Sequence, residues 1–162
     1  MTGSAHQILR ATEGWLELGC PRQADTELEQ LPSALQSTRE VLKLRCRIAI
    51  AAQNWTEVIL LAATYSMQFP KEPAFAEFWA WGEYKTGRVA NAYSILTMAA
   101  ERFNKTWRTC YYLACFSYAM KRTREATQWL TEAVKAHPNP LDLQCEIRNQ
   151  PELEPIWQTA DA

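Results

Sequence analysis

The sequence is poor in glycine and histidine, and this scarcity removes several kinds of chemistry. Its 162 residues include five glycines and two histidines. A phosphate-binding loop needs several glycines close together, and a histidine metal site needs paired histidines, so neither has the residues that it requires. A nucleophile-elbow motif is also missing. The sequence therefore predicts a protein that is not an enzyme and that needs no cofactor or metal.

An excess of positive charge and a long apolar run are also missing. Seventeen basic and eighteen acidic residues give a net charge of -1, whereas a nucleic-acid-binding surface needs a broad positive field. No uncharged apolar run approaches the length of about 18 residues that spans a membrane, and residues 1–10 lack a signal-peptide core. We expect no nucleic-acid partner, no membrane association and a cytoplasmic location. An RNA-binding repeat stays a distant alternative.

The cysteines do not form the pattern of a disulfide framework. They are odd in number and include no CxxC pair: Cys20, Cys46, Cys110, Cys115 and Cys145. Cys46 and Cys115 lie among apolar residues with helical spacing, so we interpret them as small buried hydrophobic residues. His137 lies near the end of a predicted helix, where we interpret it as a cation favoured by the helix dipole and not as a base.

What the sequence does contain is a 34-residue repeat, which runs without insertion from about residue 5 to about residue 140. Hydrophobic residues make up 48% of the chain, which suits one domain with a continuous core. Equivalent positions of the repeat form four columns that are mostly small or apolar: Ala24, Val58, Ala92 and Ala126; Leu28, Ala62, Leu96 and Leu130; Leu31, Tyr65, Ala99 and Ala133; Leu16, Ile50, Tyr84 and Tyr118. A fixed period of this length is typical of a stack of helical repeats.

Each repeat contains two stretches with helical apolar spacing and a polar break between them, which predicts a helical hairpin. Gly19 and Gly87 can adopt the left-handed turn that ends a helix, and prolines separate the repeats. No segment has the alternation of a strand, so the predicted fold class is all-α. The predicted helices are residues 6–18, 22–31, 38–52, 55–68, 74–85, 88–102, 106–120 and 123–136. The predicted hairpins are about 5–38, 39–72, 73–106 and 107–140 of a single domain, 1–162.

The last two repeats resemble the tetratricopeptide repeat (TPR) family. The matching residues are Trp79, Ala80, Gly87, Ala92, Leu96 and Ala99 in the third repeat, and Leu113, Ala114, Ala126, Leu130, Ala133 and Pro138 in the fourth. Asn104 stands where the family usually has proline, and the first two repeats match less well. The resemblance covers about residues 5–140. It implies a right-handed superhelical stack of about four hairpins whose first helices line a concave groove, where family members generally bind peptides or partner proteins.

The resemblance also implies which side chains face that groove: Glu40, Lys43, Arg47, Glu77, Trp81, Tyr84, Lys85, Arg108, Tyr111, Cys115 and Tyr118. In the predicted helix 74–85, Trp81 and Tyr84 project away from a stripe of Phe75, Phe78, Trp79 and Gly82, so this helix has two apolar faces. Aromatic rings beside cations are typical of a binding hot spot. The alternative is that Trp81 and Tyr84 are structural and contact neighbouring hairpins.

The predicted function is that of a scaffold or adaptor for a peptide or protein partner. We expect an extended peptide with apolar side chains, with a free carboxylate as an option, near Trp81, Tyr84, Arg47 and Arg108. Some family members clamp chaperone tails, and Lys43 and Arg108 fall on two of the clamp positions. The other clamp positions hold Arg47, Phe78 and Tyr112, which argues against that ligand. A small secretion chaperone and a self-associating structural module, such as a homodimer, remain alternatives.

The residues after the last repeat keep an apolar pattern: Leu141, Leu143, Ile147, Leu153, Ile156 and Trp157. A terminal hairpin of a repeat stack exposes one apolar flank, so residues 141–158 are predicted to cap it. The alternative is a detachable segment that lies in the groove as an internal ligand.

Overall fold

The computed structural model describes residues 3–139, and within this range the chain is a succession of α-helices with no strand. The helices are α1 (Gly3–Glu17), α2 (Pro21–Glu29), α3 (Arg39–Ala51), α4 (Trp55–Gln68), α5 (Pro73–Lys85), α6 (Val89–Ala100), α7 (Trp107–Ala119) and α8 (Thr123–Ala136). The all-α prediction is confirmed, and the predicted helix ends differ from the observed ends by at most three residues. A short 3-10 turn, Ser33–Leu35, was not predicted.

The turns inside the hairpins share one geometry, which recurs every 34 residues. Gly19, Gln53, Gly87 and Lys121 all have a positive φ, between 54° and 83°. At each turn this residue donates its N–H to the carbonyl three residues earlier, and the next residue donates to the carbonyl five residues earlier, as in the pair Gly87 to Tyr84 and Arg88 to Glu83, both 2.9 Å. These bonds satisfy carbonyl groups at the helix end. Only two of the four turns have the glycine that this geometry favours.

Small residues let the helices approach each other closely. Ala24, Ala92 and Ala126, members of one small or apolar column of the repeat, are fully buried at equivalent positions of α2, α6 and α8. Gly82 has the same role where α5 meets α4, because a Cβ atom placed on it would lie 2.8 Å from Cγ1 of Ile59. A larger side chain at these positions would push two helices apart.

The buried side chains form three clusters along the stack. The largest cluster joins α5, α6, α7 and α8 and includes Leu96, Leu113, Phe116 and Leu130. A smaller cluster joins α1, α2 and α3, and a third, which includes Phe75, joins α3, α4 and α5. Within residues 3–139 the core therefore consists of three clusters, and the largest joins the last four described helices.

Within residues 3–139, Cys20, Cys46 and Cys110 are free thiols. Cys46 and Cys115 are buried, which confirms their interpretation as small hydrophobic residues. Burial, and to a smaller extent the negative charge of Glu57, raises the pKa of the Cys46 thiol to about 12. This thiol is therefore protonated at neutral pH, and an unreactive packing role follows.

The predicted cap, residues 141–158, and Cys145 lie outside the described residues. The division of the whole chain into four hairpins and a cap therefore stays a prediction. Among the helices between residues 3 and 139, none combines the length and the apolar character that crossing a bilayer requires.

Candidate peptide-binding groove

The first helices of the predicted hairpins lie side by side and form the wall of a groove. Helix α1 packs on α3, α3 on α5, and α5 on α7. A cleft of about 880 Å³ lies against this wall, and its lining residues come from these four helices: His6, Leu9, Arg10, Glu13, Glu40, Lys43, Leu44, Arg47, Ala74, Phe78 and Arg108. A second cleft of about 360 Å³ shares Arg47, Phe78 and Arg108 with the first, so the two form one continuous groove.

The larger cleft carries an excess of positive charge. Arg10, Lys43, Arg47 and Arg108 line it together with only two carboxylates, Glu13 and Glu40. The exposed residues Arg10 and Arg108 have no carboxylate within 4.0 Å among residues 3–139, whereas Nη1 of Arg47 lies 3.5 Å from Oε1 of Glu13. The cleft can therefore attract an anionic group and offer it guanidinium groups that no carboxylate of residues 3–139 engages.

Lys43 and Glu77 occupy equivalent positions of the repeat, and both connect one first helix to the start of the next. Nζ of Lys43 lies 3.1 Å from the carboxylate of Glu72, the residue before α5. The carboxylate of Glu77 accepts hydrogen bonds from the hydroxyls of Thr106 at 2.8 Å and Thr109 at 2.6 Å, at the start of α7. Glu77 is 5% exposed, so it supports the groove wall from inside and is not positioned to contact a ligand.

The second cleft is bordered by a cluster of aromatic rings. The Trp81 ring lies 5.2 Å from that of Tyr84 and 5.1 Å from that of Tyr112, and Nζ of Lys85 lies 4.7 Å from the Trp81 ring centre. Tyr84 in turn lies 5.2 Å from the buried Phe116. These separations are in the range of favourable ring contacts. Trp81 and Tyr84 therefore pack on the core, as the structural alternative expects, while Trp81 also lines the cleft.

Three other predicted groove residues lie deeper in the protein. Tyr111 and Cys115 are buried, with 5% and 2% of their surface exposed. Tyr118 is partly buried and packs against the C-terminal cluster. The structure therefore brings five of the predicted residues to the surface of the two clefts: Glu40, Lys43, Arg47, Trp81 and Arg108. The other predicted residues lie beneath or beside the clefts.

The sequence prediction omitted Arg10 and Glu13, and it grouped Phe78 with the core-packing stripe of its helix. All three line the larger cleft, and Phe78 also lines the second one. The 34-residue period held a signal that finds them, because Arg10, Leu44, Phe78 and Tyr112 are equivalent positions and Glu13 precedes Arg47 by one repeat. Amphipathic spacing within a single helix cannot show which of two apolar faces meets solvent.

In the part of the chain that the structure describes, no group of three His, Cys, Asp or Glu side chains could hold a metal ion. The groove offers charged and aromatic side chains to a ligand.

A stack of helical hairpins joined by repeated turns, with a groove along the first helices, defines a TPR-like fold. Solved TPR structures share it. A tetratricopeptide repeat protein from Parabacteroides merdae superposes with a TM-score of 0.76 at 12% identity, covering 88% of this chain and 56% of that one. PilF of Pseudomonas aeruginosa superposes with a TM-score of 0.68 at 16% identity, covering 98% of this chain and 75% of that one.

A thermophilic TPR protein from Thermus thermophilus superposes with a TM-score of 0.54 at 15% identity, covering 88% of this chain and 96% of its own. No protein-family model and no curated protein matches the sequence. Identities this low establish the shared fold, which confirms the TPR resemblance at the level of structure. The chain spans little more than half the length of the Parabacteroides protein.

Proposed function

We propose that this protein is a non-catalytic adaptor that binds an extended peptide segment of a partner protein in the groove formed by α1, α3, α5 and α7. The observation that supports this most directly is the continuity of a cationic cleft with an aromatic one through Arg47, Phe78 and Arg108. A groove with unpaired guanidinium groups beside flat apolar surface fits a ligand that carries both carboxylates and apolar side chains.

The chemistry of each half suggests how such a peptide is held. Phe78 and Trp81 offer rigid apolar area, which binds at a low cost in side-chain entropy. Arg108 belongs to both clefts and has no carboxylate partner among residues 3–139, so it can pair with a carboxylate of the ligand beside the aromatic surface. The Phe78 and Trp81 rings would set affinity, and the guanidinium groups would set orientation and salt dependence.

The test is a selection of peptides from a random phage-displayed library, followed by titration of the selected peptides against purified variants. We expect Trp81→Ala and Arg108→Glu each to weaken binding by roughly tenfold or more, as losses of hot-spot side chains do. Arg124→Glu, on the exposed surface of α8 and outside both clefts, is the control of equal charge change. Equal affinity for all four proteins would remove the groove as the binding site.

Self-association is the second candidate function, and exposed apolar side chains on α4 and α6 favour it. Leu60, Met67 and Met98 are 67%, 75% and 63% exposed. Such side chains can form part of a protein interface. Light scattering at several concentrations tests it, with Leu60→Glu and Met67→Glu expected to abolish any concentration-dependent rise in mass. A constant monomer mass would exclude this function.

A further inference from the structure

We infer that residues 149–162 of this same chain bind in the groove and compete there with the partner peptide, so that the protein regulates its own site. This inference rests on the proposed function, because it assigns an internal ligand to the same groove. Three observations support it: the sequence of the segment, the charge of the groove, and the place where the described chain ends.

The composition of residues 149–162 complements the charged and aromatic side chains of the groove. Residues 149–162 contain three carboxylates, Glu152, Glu154 and Asp161, and no lysine, arginine or histidine. Leu153, Ile156 and Trp157 lie between or beside these acids. Pro151 and Pro155 flank the sequence Glu-Leu-Glu, and prolines at this spacing disfavour a helix and favour an extended chain. The segment therefore combines carboxylates, apolar side chains and an extended backbone preference.

The groove supplies the complementary groups. Arg10, Lys43, Arg47 and Arg108 outnumber the two carboxylates of the larger cleft, and Arg10 and Arg108 have no ion-pair partner within residues 3–139. Phe78 continues the wall toward Trp81. Charge complementarity of this kind favours an acidic segment over the rest of the chain, whose charges are balanced.

The described chain ends next to the start of α7. The backbone N–H of Asn139 donates to Nδ1 of His137 at 3.0 Å, and the His137 ring lies 4.5 Å from the ring of Trp107. Cζ of Arg108 lies 5.1 Å from the centre of that same Trp107 ring. The following residues therefore leave the described structure close to the start of α7, which carries a cation of the groove.

The length of the intervening chain permits this contact. Residues 140–148 can span up to about 30 Å when extended, and packed helices lie about 8–10 Å apart, so the segment can reach several first helices. Tethering gives an effective concentration on the order of 1 mM. A contact with an intrinsic dissociation constant of roughly 0.1 mM would then weaken binding of a competing peptide by about tenfold.

The experiment compares two full-length chains. One carries Glu152→Lys, Glu154→Lys and Asp161→Lys. The control carries Glu29→Lys, Glu101→Lys and Glu132→Lys, which are all exposed, with the same change of net charge. The probe is a fluorescent peptide with the sequence of residues 149–162, titrated by anisotropy. We expect it to bind the first variant about tenfold more tightly than the wild type, with the control close to the wild type.

A second measurement leaves the segment unchanged. A glutamate-specific protease can cleave after Glu152, and we expect Arg108→Glu to accelerate this cleavage several-fold over the wild type while Arg124→Glu does not. Equal cleavage of all three proteins would overturn the inference, as would equal affinity of the probe for wild type and segment variant. If the selected library peptides still depend on Trp81 in that case, the proposed function stands and the internal ligand alone is wrong. If the library peptides do not depend on Trp81, the groove is not the peptide-binding site and the proposed function is wrong as well.

Discussion

The two ends of the groove use the same positions of the repeat with opposite chemistry. At one position α1 carries Arg10, whereas α5 and α7 carry Phe78 and Tyr112. At another, α3 carries Arg47 and α5 carries Trp81. The α1 and α3 end is charged and exposed, and the α5 and α7 end is a cluster of rings with centres 5.1 to 5.2 Å apart. The backbone repeats, so the side chains alone decide what each end can bind.

The difference also has an energetic side. The ring cluster continues into the core through Tyr84 and Phe116, so this end of the groove shares its stability with the fold. The charged end depends on ion pairs such as Arg47 with Glu13, which are more than 40% exposed on both sides and therefore contribute little to stability. Substitutions can separate the contribution of the ring cluster to stability from that of the exposed ion pairs.

The largest expected effect is at the base of the aromatic end. Phe116→Ala removes a fully buried ring beneath Tyr84, so we expect the free energy of unfolding to fall by about 3–5 kcal/mol. Arg10→Ala at the charged end should change it by less than about 0.5 kcal/mol. Urea denaturation measures both values. Similar losses for the two variants would mean that the groove ends do not differ in their connection to the core.

The interior of the stack should show no such asymmetry. Ala24 in α2 and Ala126 in α8 are equivalent and fully buried, so Ala24→Leu and Ala126→Leu should each lower stability by about 1–3 kcal/mol through overpacking. Ala92→Leu is expected to behave in the same way. Gln128→Leu, on the exposed surface of α8, is the control. A denaturation midpoint unchanged by either buried substitution would show that its helix pair is loosely packed there.

A smaller change in stability is expected at the turns between helices, where the turns with glycine should differ from those without it. Gly87→Ala places a side chain at a φ of 83° and should cost about 1 kcal/mol, whereas Lys121→Gly, at 62°, should gain about 0.5 kcal/mol. Gly14→Ala, inside α1 with no atom near its would-be Cβ, should be stabilising by about 0.5–1 kcal/mol. Thermal unfolding measures these changes. A loss of stability in Lys121→Gly would mean that contacts of the lysine side chain outweigh its backbone strain.

The smallest expected effect is at the charged end itself. Glu13→Gln removes one partner of the ion pair with Arg47, and because both side chains are well exposed we expect a stability change below about 0.5 kcal/mol. The same substitution should strengthen binding of acidic library peptides at low salt, since it frees a guanidinium group. Weaker binding after this change would show that Glu13 contacts the ligand directly.

Much of the fold was predictable because it depends on local spacing that recurs. The eight helices described between residues 3 and 139, the buried alanines and the glycine turns followed from one period. The candidate site was predicted less completely. Lys43, Arg47, Trp81 and Arg108 reach the groove as expected, but Glu77 and Tyr111 are buried, since the first helices pack closely enough to cover them. The positive φ of Gln53 and Lys121 also escaped prediction, because neither residue type favours it.

The sequence by itself determined the all-α class, the repeat and the positions of small residues, since each of these follows from a regular spacing along the chain. Only the tertiary structure decided which side of each first helix faces the groove, and which charged side chains of residues 3–139 are engaged in ion pairs. Those properties depend on side chains that are far apart in the chain, such as Glu77 and Thr109, which are 32 residues apart and whose contact no local pattern encodes. How closely the helices pack, and not the order of residues along the chain, decides which of these side chains meet.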